Sequence, residues 1–311
     1  MIKCDVAGKG VSAALIMVEV ATIFSTYFRN WTPQNPGLKL EPLADLINDM
    51  VEERGFKGRF AALTLAILNA QNGKVLFCNA GDTIQRVYRQ AEGVVSDFKL
   101  PDAPAAGVFP KDLVDMKGGF KQVPFQMESG DTIFLYTDGI EEAKRHFRDE
   151  RFQVIPCNEP GLGENESHEG THSKGADNEE MGTGRIREII TSVFQHRPYR
   201  LLKYHNPVGE EVLEFDFGRC TGTVEEAVLA MVAVEKVFRL VPDPGAGEKD
   251  RVFVDKRVDE FLKKHFGQYD RYFGQPAAAG EGETGGYLNA FSHLREDEQY
   301  DDLTILAIRK K

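Results

Sequence analysis

Apolar positions in the first third of the chain change from helical spacing to strand spacing near residue 60. Residues 1–4 read as a short strand that runs straight into Asp5-Val6-Ala7-Gly8-Lys9-Gly10. From 12 to 30 apolar residues cover nearly the whole circumference, which predicts a largely buried helix, with Ser12 placed to cap its first turn. Thr32-Pro33 and Asn35-Pro36-Gly37 then break the chain. Leu43, Leu46, Ile47, Met50 and Val51 follow i, i+3, i+4, i+7 spacing and predict a second helix, with Pro42 suited to its first position and Gly55 to its exit. Strands are predicted at 60–68 and 74–79, flanking the hairpin signal Asn72-Gly73, and again at 84–89 and 120–127. The turn Glu128-Ser129-Gly130-Asp131 leads into a strand at 132–137 that delivers Asp138-Gly139. Helices followed by a run of antiparallel-type strands predict an α+β fold, with sheet packed on sheet or on helix.

Beyond residue 142 the pattern is uneven. Acidic residues outnumber basic ones over 151–180, apolar residues are few, and the stretch reads as a loop. Ile186, Ile189, Ile190, Val193 and Phe194 mark a helix, and Leu213, Phe215 and Phe217 alternate with Glu214 and Asp216 as in a half-buried strand. Thr223-Val224-Glu225-Glu226 fits a capping box that opens a helix running to about 240. Val254, Val258, Phe261 and Leu262 mark another helix, 275–286 reads as a linker, and a last strand at 303–308 is entered through Asp301-Asp302.

The composition is globular, with 41% hydrophobic and 28% charged residues in 311. The longest uninterrupted apolar run, 227–234, falls far short of the ~20 residues of a membrane helix, so no membrane segment is predicted. No charged-then-apolar leader opens the chain, which argues against a secretory signal. A formal net charge of -11 disfavours nucleic acid as a partner. Cys4, Cys78, Cys157 and Cys220 form no C-x-x-C pair and read as reduced thiols of a cytoplasmic protein.

Asp5, Asp138 and Asp301 share one placement, each at the end of a predicted strand. Were the last strand antiparallel beside the other two, the three carboxylates would meet at one sheet edge. Such a cluster resists ionisation unless a cation sits within it, and hard oxygen donors suit Mg²⁺ or Mn²⁺. Any one of the three alone is an ordinary turn residue. Residues 5–10 are Gly-rich but lack the G-x-x-x-x-G-K-[ST] spacing of a P-loop. His168 and His172 have H-x₃-H spacing but lie in the acidic stretch, where a solvated loop is the simpler reading than a metal site. Phe120, Phe125, Phe134 and Tyr136 read as core strand residues. Thr137-Asp138-Gly139-Ile140 lacks the second Asp of the D-x-D used by haloacid-dehalogenase-type phosphatases.

Five stretches resemble, in order, the bacterial metal-dependent serine/threonine phosphatases of the PPM (2C-type) superfamily, SpoIIE/RsbU-like branch. Asp5-Val6-Ala7-Gly8-Lys9-Gly10 with Ala13-Ala14-Leu15 resembles D-V-S-G-K-G-x-x-A-A-L, and Asn79-Ala80-Gly81 resembles N-A-G-H. Gly107-Val108-Phe109 is similar to L-G-V. Gly130-Asp131-Thr132 through Asp138-Gly139-Ile140 is similar to G-D-T-L-x-L-Y-T-D-G, and Asp301-Asp302-Leu303-Thr304-Ile305-Leu306 to D-D-x-T-x-L. The resemblance covers 4–146, about 180–195, and 300–309. It implies one PPM-type domain over 1–311, an α-β-β-α sandwich with insertions at 148–177 and 197–295. It also implies two Mn²⁺ or Mg²⁺ ions, bridged by Asp5, with the Val6 carbonyl, Asp138 and Asp301 as further ligands and no covalent enzyme intermediate. The implied substrate is a phosphorylated regulatory protein, a STAS-type anti-sigma antagonist in a partner-switching pathway. The sequence departs from the pattern in three places. The family's strands ahead of D-V-S-G-K-G, with their acidic ligand, have no counterpart before Met1, so the domain is expected to be N-terminally truncated, with a sensor, membrane-bound or otherwise, upstream. Asp82 stands where the family has His, and the two insertions match nothing familiar. A second reading is therefore a catalytically impaired interaction module of the same fold, which metal-dependent phosphoester hydrolysis distinguishes from the first.

Overall fold

The computed structural model describes all residues except 30, 33, 35–38, 54–57, 150, 157–175, 206–208, 244, 246–250, 275–286 and 300. His168, His172 and the linker at 275–286 lie outside the described residues. The chain divides into two compact units, one made of Met1–Glu92, Ser96–Thr137 and Leu306–Lys311, the other of Gly93–Val95 and Asp138–Ile305. The elements run β1 (Ile2–Val6), α1 (Val11–Arg29), α2 (Glu41–Glu53), β2 (Ala61–Leu68), β3 (Lys74–Ala80), β4 (Ile84–Arg89), β5 (Val94–Lys99), α3 (Lys111–Met116), β6 (Gln122–Gln126) and β7 (Thr132–Tyr136). They continue with β8 (Lys144–His146), β9 (Asn178–Glu180), α4 (Gly182–Phe194), β10 (Tyr199–His205), β11 (Gly209–Phe215), α5 (Val224–Arg239) and β12 (Leu240–Pro242). The last are β13 (Val252–Asp255), α6 (Lys256–His265), α7 (Tyr269–Tyr272), β14 (Leu288–Phe291), β15 (Leu294–Glu296) and β16 (Ile305–Arg309).

The first unit holds two four-stranded sheets, ordered β1-β2-β3-β6 and β16-β7-β4-β5. The β2–β3 hairpin forms where Asn72-Gly73 predicts it. Asn69 Oδ1 accepts from the amides of Gln71 and Asn72, and Gly73 supplies the positive φ of +75° that the turn needs. One core cluster joins α1 and α2 to the first sheet through Ile16, Val20, Leu43, Ile47, Leu63 and Leu65. A second lies between the sheets, built on Phe77, Val87, Phe125, Ile133 and Leu135. Helices, sheet and sheet thus form successive layers of a mixed α and β fold. β16 pairs with β7, antiparallel, with the Lys310 amide donating to the Asp131 carbonyl at 3.0 Å. β1 belongs to the other sheet, so the last strand lies beside β7 but not beside β1.

α1 differs from its reading in two ways. It begins at Val11, which puts Ser12 inside the first turn rather than at the cap. Only Ala13, Ile16 and Val20 are buried, while Val11 is 78% and Val18 62% exposed. An all-round apolar pattern states what a helix can bury, and here only one face meets a neighbour. By length and mean hydropathy (1.7) α1 also meets the dimensions of a membrane span, although Ser12, Glu19 and Thr22 break its apolar residues into short runs.

In the second unit α4 and α5 share a core of Ile186, Ile190, Val193, Met231, Val234 and Phe238. The capping box at Thr223 and Glu226 is formed reciprocally, as the sequence predicts. The half-buried strand ends at Phe215, with Phe217 in a following 3₁₀ turn, and it pairs with β10. The acidic stretch is not loop to its end: β9 pairs with β8, and Glu179 is fully buried between Arg145 (3.4 Å) and Arg185 (3.2 Å). A carboxylate that deep is tolerated because two guanidinium groups compensate it.

Candidate active site

β1 delivers Asp5 and Val6 at its C-terminal end, where Asp5 pairs across to Ala62 and is half-buried. Alternation along the strand puts Lys3 on the same face as Asp5. The Lys3 ammonium bridges the Asp82 carboxylate (2.8 Å) and the Tyr136 carbonyl (3.0 Å). It therefore ties β1 to the last residue of β7. Asp82 also accepts from the Thr64 hydroxyl and from Gln85 Nε2. The residue that replaces the resembled family's His is thus held on three sides by the first unit's own side chains. Cys4 is no nucleophile: burial, reinforced by the charge of Asp5, pushes its thiol up to about 12.

β7 is buried throughout, and Asp138 emerges from it into solvent at the start of a 3₁₀ turn. The Asp138 carbonyl accepts the Glu142 amide at 2.8 Å. Gly139 lies directly under the segment that carries Asp301. A Cβ on Gly139 would stand 2.5 Å from the Asp302 carbonyl oxygen and 3.1 Å from that of Asp301. The glycine of the Asp-Gly pair is therefore required for space, so that the chain before β16 can cross the turn after β7. Asp302 donates its amide to Asp301 Oδ1 at 2.8 Å.

This crossing brings Asp138 and Asp301 into one electrostatic neighbourhood with two carboxylates that the sequence reading missed, Glu142 and Glu180. The Glu142 carboxyl is raised above its usual range by loss of hydration, then by the charges of Asp138, Glu180 and Asp301, against the pull of Lys144. A signal for Glu142 existed in its place one helical turn after Asp138. Nothing local marks Glu180, which the β8–β9 pairing brings in. The donor set is all carboxylate, with its charge partly uncompensated, and it fits a hard divalent cation. Among the described residues, however, no three His, Cys, Asp or Glu side chains are gathered closely enough to hold a metal ion.

The sequence model of Stage II sporulation protein E (SpoIIE) matches residues 1–160, just over half of the chain. The chain belongs to the SpoIIE family. Among solved structures, this SpoIIE-family chain is similar to the RsbU and RsbW domains of Rv1364c from Mycobacterium tuberculosis, with 18% identity and a TM-score of 0.40 over 63% of this chain and 42% of that one. It is similar to the PP2C phosphatase domain with a regulatory-domain fragment of SpoIIE from Bacillus subtilis, with 19% identity and a TM-score of 0.36 over 46% of this chain and 38% of that one. The SiaA PP2C domain of Pseudomonas aeruginosa is 14% identical with a TM-score of 0.44, over 99% of this chain and 74% of that one. The chain thus spans about two fifths of the length of the Rv1364c and SpoIIE structures. No curated protein matches it.

Proposed function

We propose that this SpoIIE-family chain hydrolyses phosphoserine or phosphothreonine on a regulatory protein, using Mn²⁺ or Mg²⁺ held by Asp5, the Val6 carbonyl, Asp138 and Asp301. The observation that carries the reading is the passage of Asp301-Asp302 across Gly139, which brings the chain around Asp301 against the turn that carries Asp138, with both charges acting on Glu142. Ions bound there would acidify a shared water and neutralise charge on the phosphoryl oxygens. Asp138, exposed at a strand end, and Asp301, fixed by its own amide turn, would hold them in reach of solvent and substrate. The family resemblance, rather than the geometry, supports a STAS-type anti-sigma antagonist as the phosphoprotein.

That no three such side chains are gathered closely enough for an ion among the described residues favours one alternative, an interaction module of this fold without turnover. Hydrolysis of a phosphoserine peptide with and without Mn²⁺, together with calorimetric Mn²⁺ titration, separates the two. Turnover is expected to need Mn²⁺, to stop on chelation, and to fall at least about a hundredfold in Asp138→Asn along with metal affinity. Undiminished Mn²⁺ binding in Asp138→Asn would make that residue a turn residue. A wild-type chain that binds a STAS domain but shows no metal-dependent turnover would establish the module instead.

A further inference from the structure

Directly after Val6 the chain leaves β1 through Ala7-Gly8-Lys9-Gly10, and one side chain from the approach to β2 lies over that turn. Arg59 donates from Nη1 to the Ala7 carbonyl at 2.8 Å and from Nη2 to the Lys9 carbonyl at 3.4 Å. Its neighbour Phe60 accepts the Ala7 amide at 2.9 Å. Two consecutive residues therefore engage both backbone groups of Ala7, the residue next to the carbonyl expected to face an ion.

Gly8 shows how closely the guanidinium is fitted. A Cβ placed on it would fall 1.0 Å from Arg59 Nη1, so the guanidinium occupies the space that any other residue would fill. Gly8 also has a φ of +89°. Gly10 provides the contrast: its φ is +86°, yet a Cβ there meets nothing within 4 Å. One glycine answers to backbone conformation alone, the other to conformation and to Arg59.

We propose that Arg59 is a positioning residue of the candidate site, locking the 7–10 turn so that the Asp5 carboxylate and the Val6 carbonyl keep one orientation before an ion arrives. This rests on reading Asp5 and Val6 as ion ligands. A backbone carbonyl is a useful ligand only where its peptide plane is fixed, and the turn that follows Val6 contains two glycines that would otherwise leave it loose. The planar, permanently charged fork of an arginine spans two carbonyls two residues apart, whereas a lysine ammonium offers a single point.

Arg59→Ala and Arg59→Lys test this together, because lysine keeps the charge and loses the fork. Arg59 is only half-buried, so both variants are expected to fold. Both should weaken Mn²⁺ binding about ten- to a hundredfold by calorimetry, the usual range for groups that orient a metal ligand. Both should speed amide hydrogen exchange at residues 7–10 in the metal-free protein. At saturating Mn²⁺, kcat for a phosphoserine peptide should fall while KM stays unchanged. Wild-type Mn²⁺ affinity and exchange in both variants would overturn the positioning role alone. A raised KM in Arg59→Ala that Arg59→Lys restores would overturn it in favour of a direct contact with the substrate phosphate. A wild-type chain that binds no Mn²⁺ would overturn the ligand reading of Asp5 and Val6, and the positioning role with it.

Discussion

Asp131 is 2% exposed between Gly130 and β7, and it accepts from the amides of Gln90 and Glu128 (3.0 Å each) and from Arg89 Nη1 (2.8 Å). Burial pushes its carboxyl up, but these hydrogen bonds and the guanidinium charge outweigh burial and hold it below the usual 3.8. Its place in the Gly-Asp-Thr motif is thus explained by folding: it closes the turn that aims β7. The carboxylate stabilises the fold above its ordinary value, and the contribution is lost as pH falls through the lower folded value. Asp131→Asn is expected to cost about 1–3 kcal/mol in urea unfolding at pH 7, with the gap to wild type closing below pH 3.8. Glu142 has the opposite sign. Its carboxyl is raised above the usual 4.5, so its charge opposes folding at neutral pH, and the opposition is relieved as pH falls. Glu142→Gln should stabilise the metal-free protein at pH 7 by a few tenths of a kcal/mol, since the side chain is exposed and screened, and should match wild type below pH 4.5.

At the scale of elements, α5 offers the cleanest local test. Thr223 Oγ1 accepts the Glu226 amide at 3.2 Å while Glu226 Oε2 accepts the Thr223 amide at 3.1 Å, so Thr223→Ala should cost about 1 kcal/mol by denaturant midpoint. This box, α2 and the β2–β3 hairpin were legible because each is written in neighbouring residues. β10 was not. Its Lys203 counts as polar in any pattern, yet it is fully buried and donates to the Val237 and Leu240 carbonyls at the end of α5. Burial drives that ammonium well below its usual value, and helix-end carbonyls make the position tolerable. β5 is hidden for a plainer reason, since Val95 is its one buried residue and alternation is weak. The site divides in the same way. Asp138 and Asp301 are singled out by the sequence because each adjoins a predicted strand, whereas Glu180 enters the neighbourhood of Glu142 only through β8–β9 pairing, and Arg59 is marked only by the space left by Gly8.

For the whole molecule, the two units differ in how their chain is supplied. The second is continuous apart from Gly93–Val95, whereas the first takes its final strand, β16, from beyond the second. That arrangement governs the order in which the protein can fold as it is made. When β7 leaves the ribosome, its partner β16 has not been synthesised, and at ~5–20 residues per second the delay is on the order of ten to thirty seconds. During that interval β7, whose residues are all buried in the finished fold, presents one unpaired edge, the kind of surface that nascent-chain chaperones cover and that foreign strands can capture. Pairing across so long a separation also costs more loop-closure entropy than any hairpin in the unit. A chain released early, short of residue 301, would lack that strand and Asp301 together, so incomplete synthesis would yield a molecule with neither a complete second sheet nor the full set of candidate carboxylates.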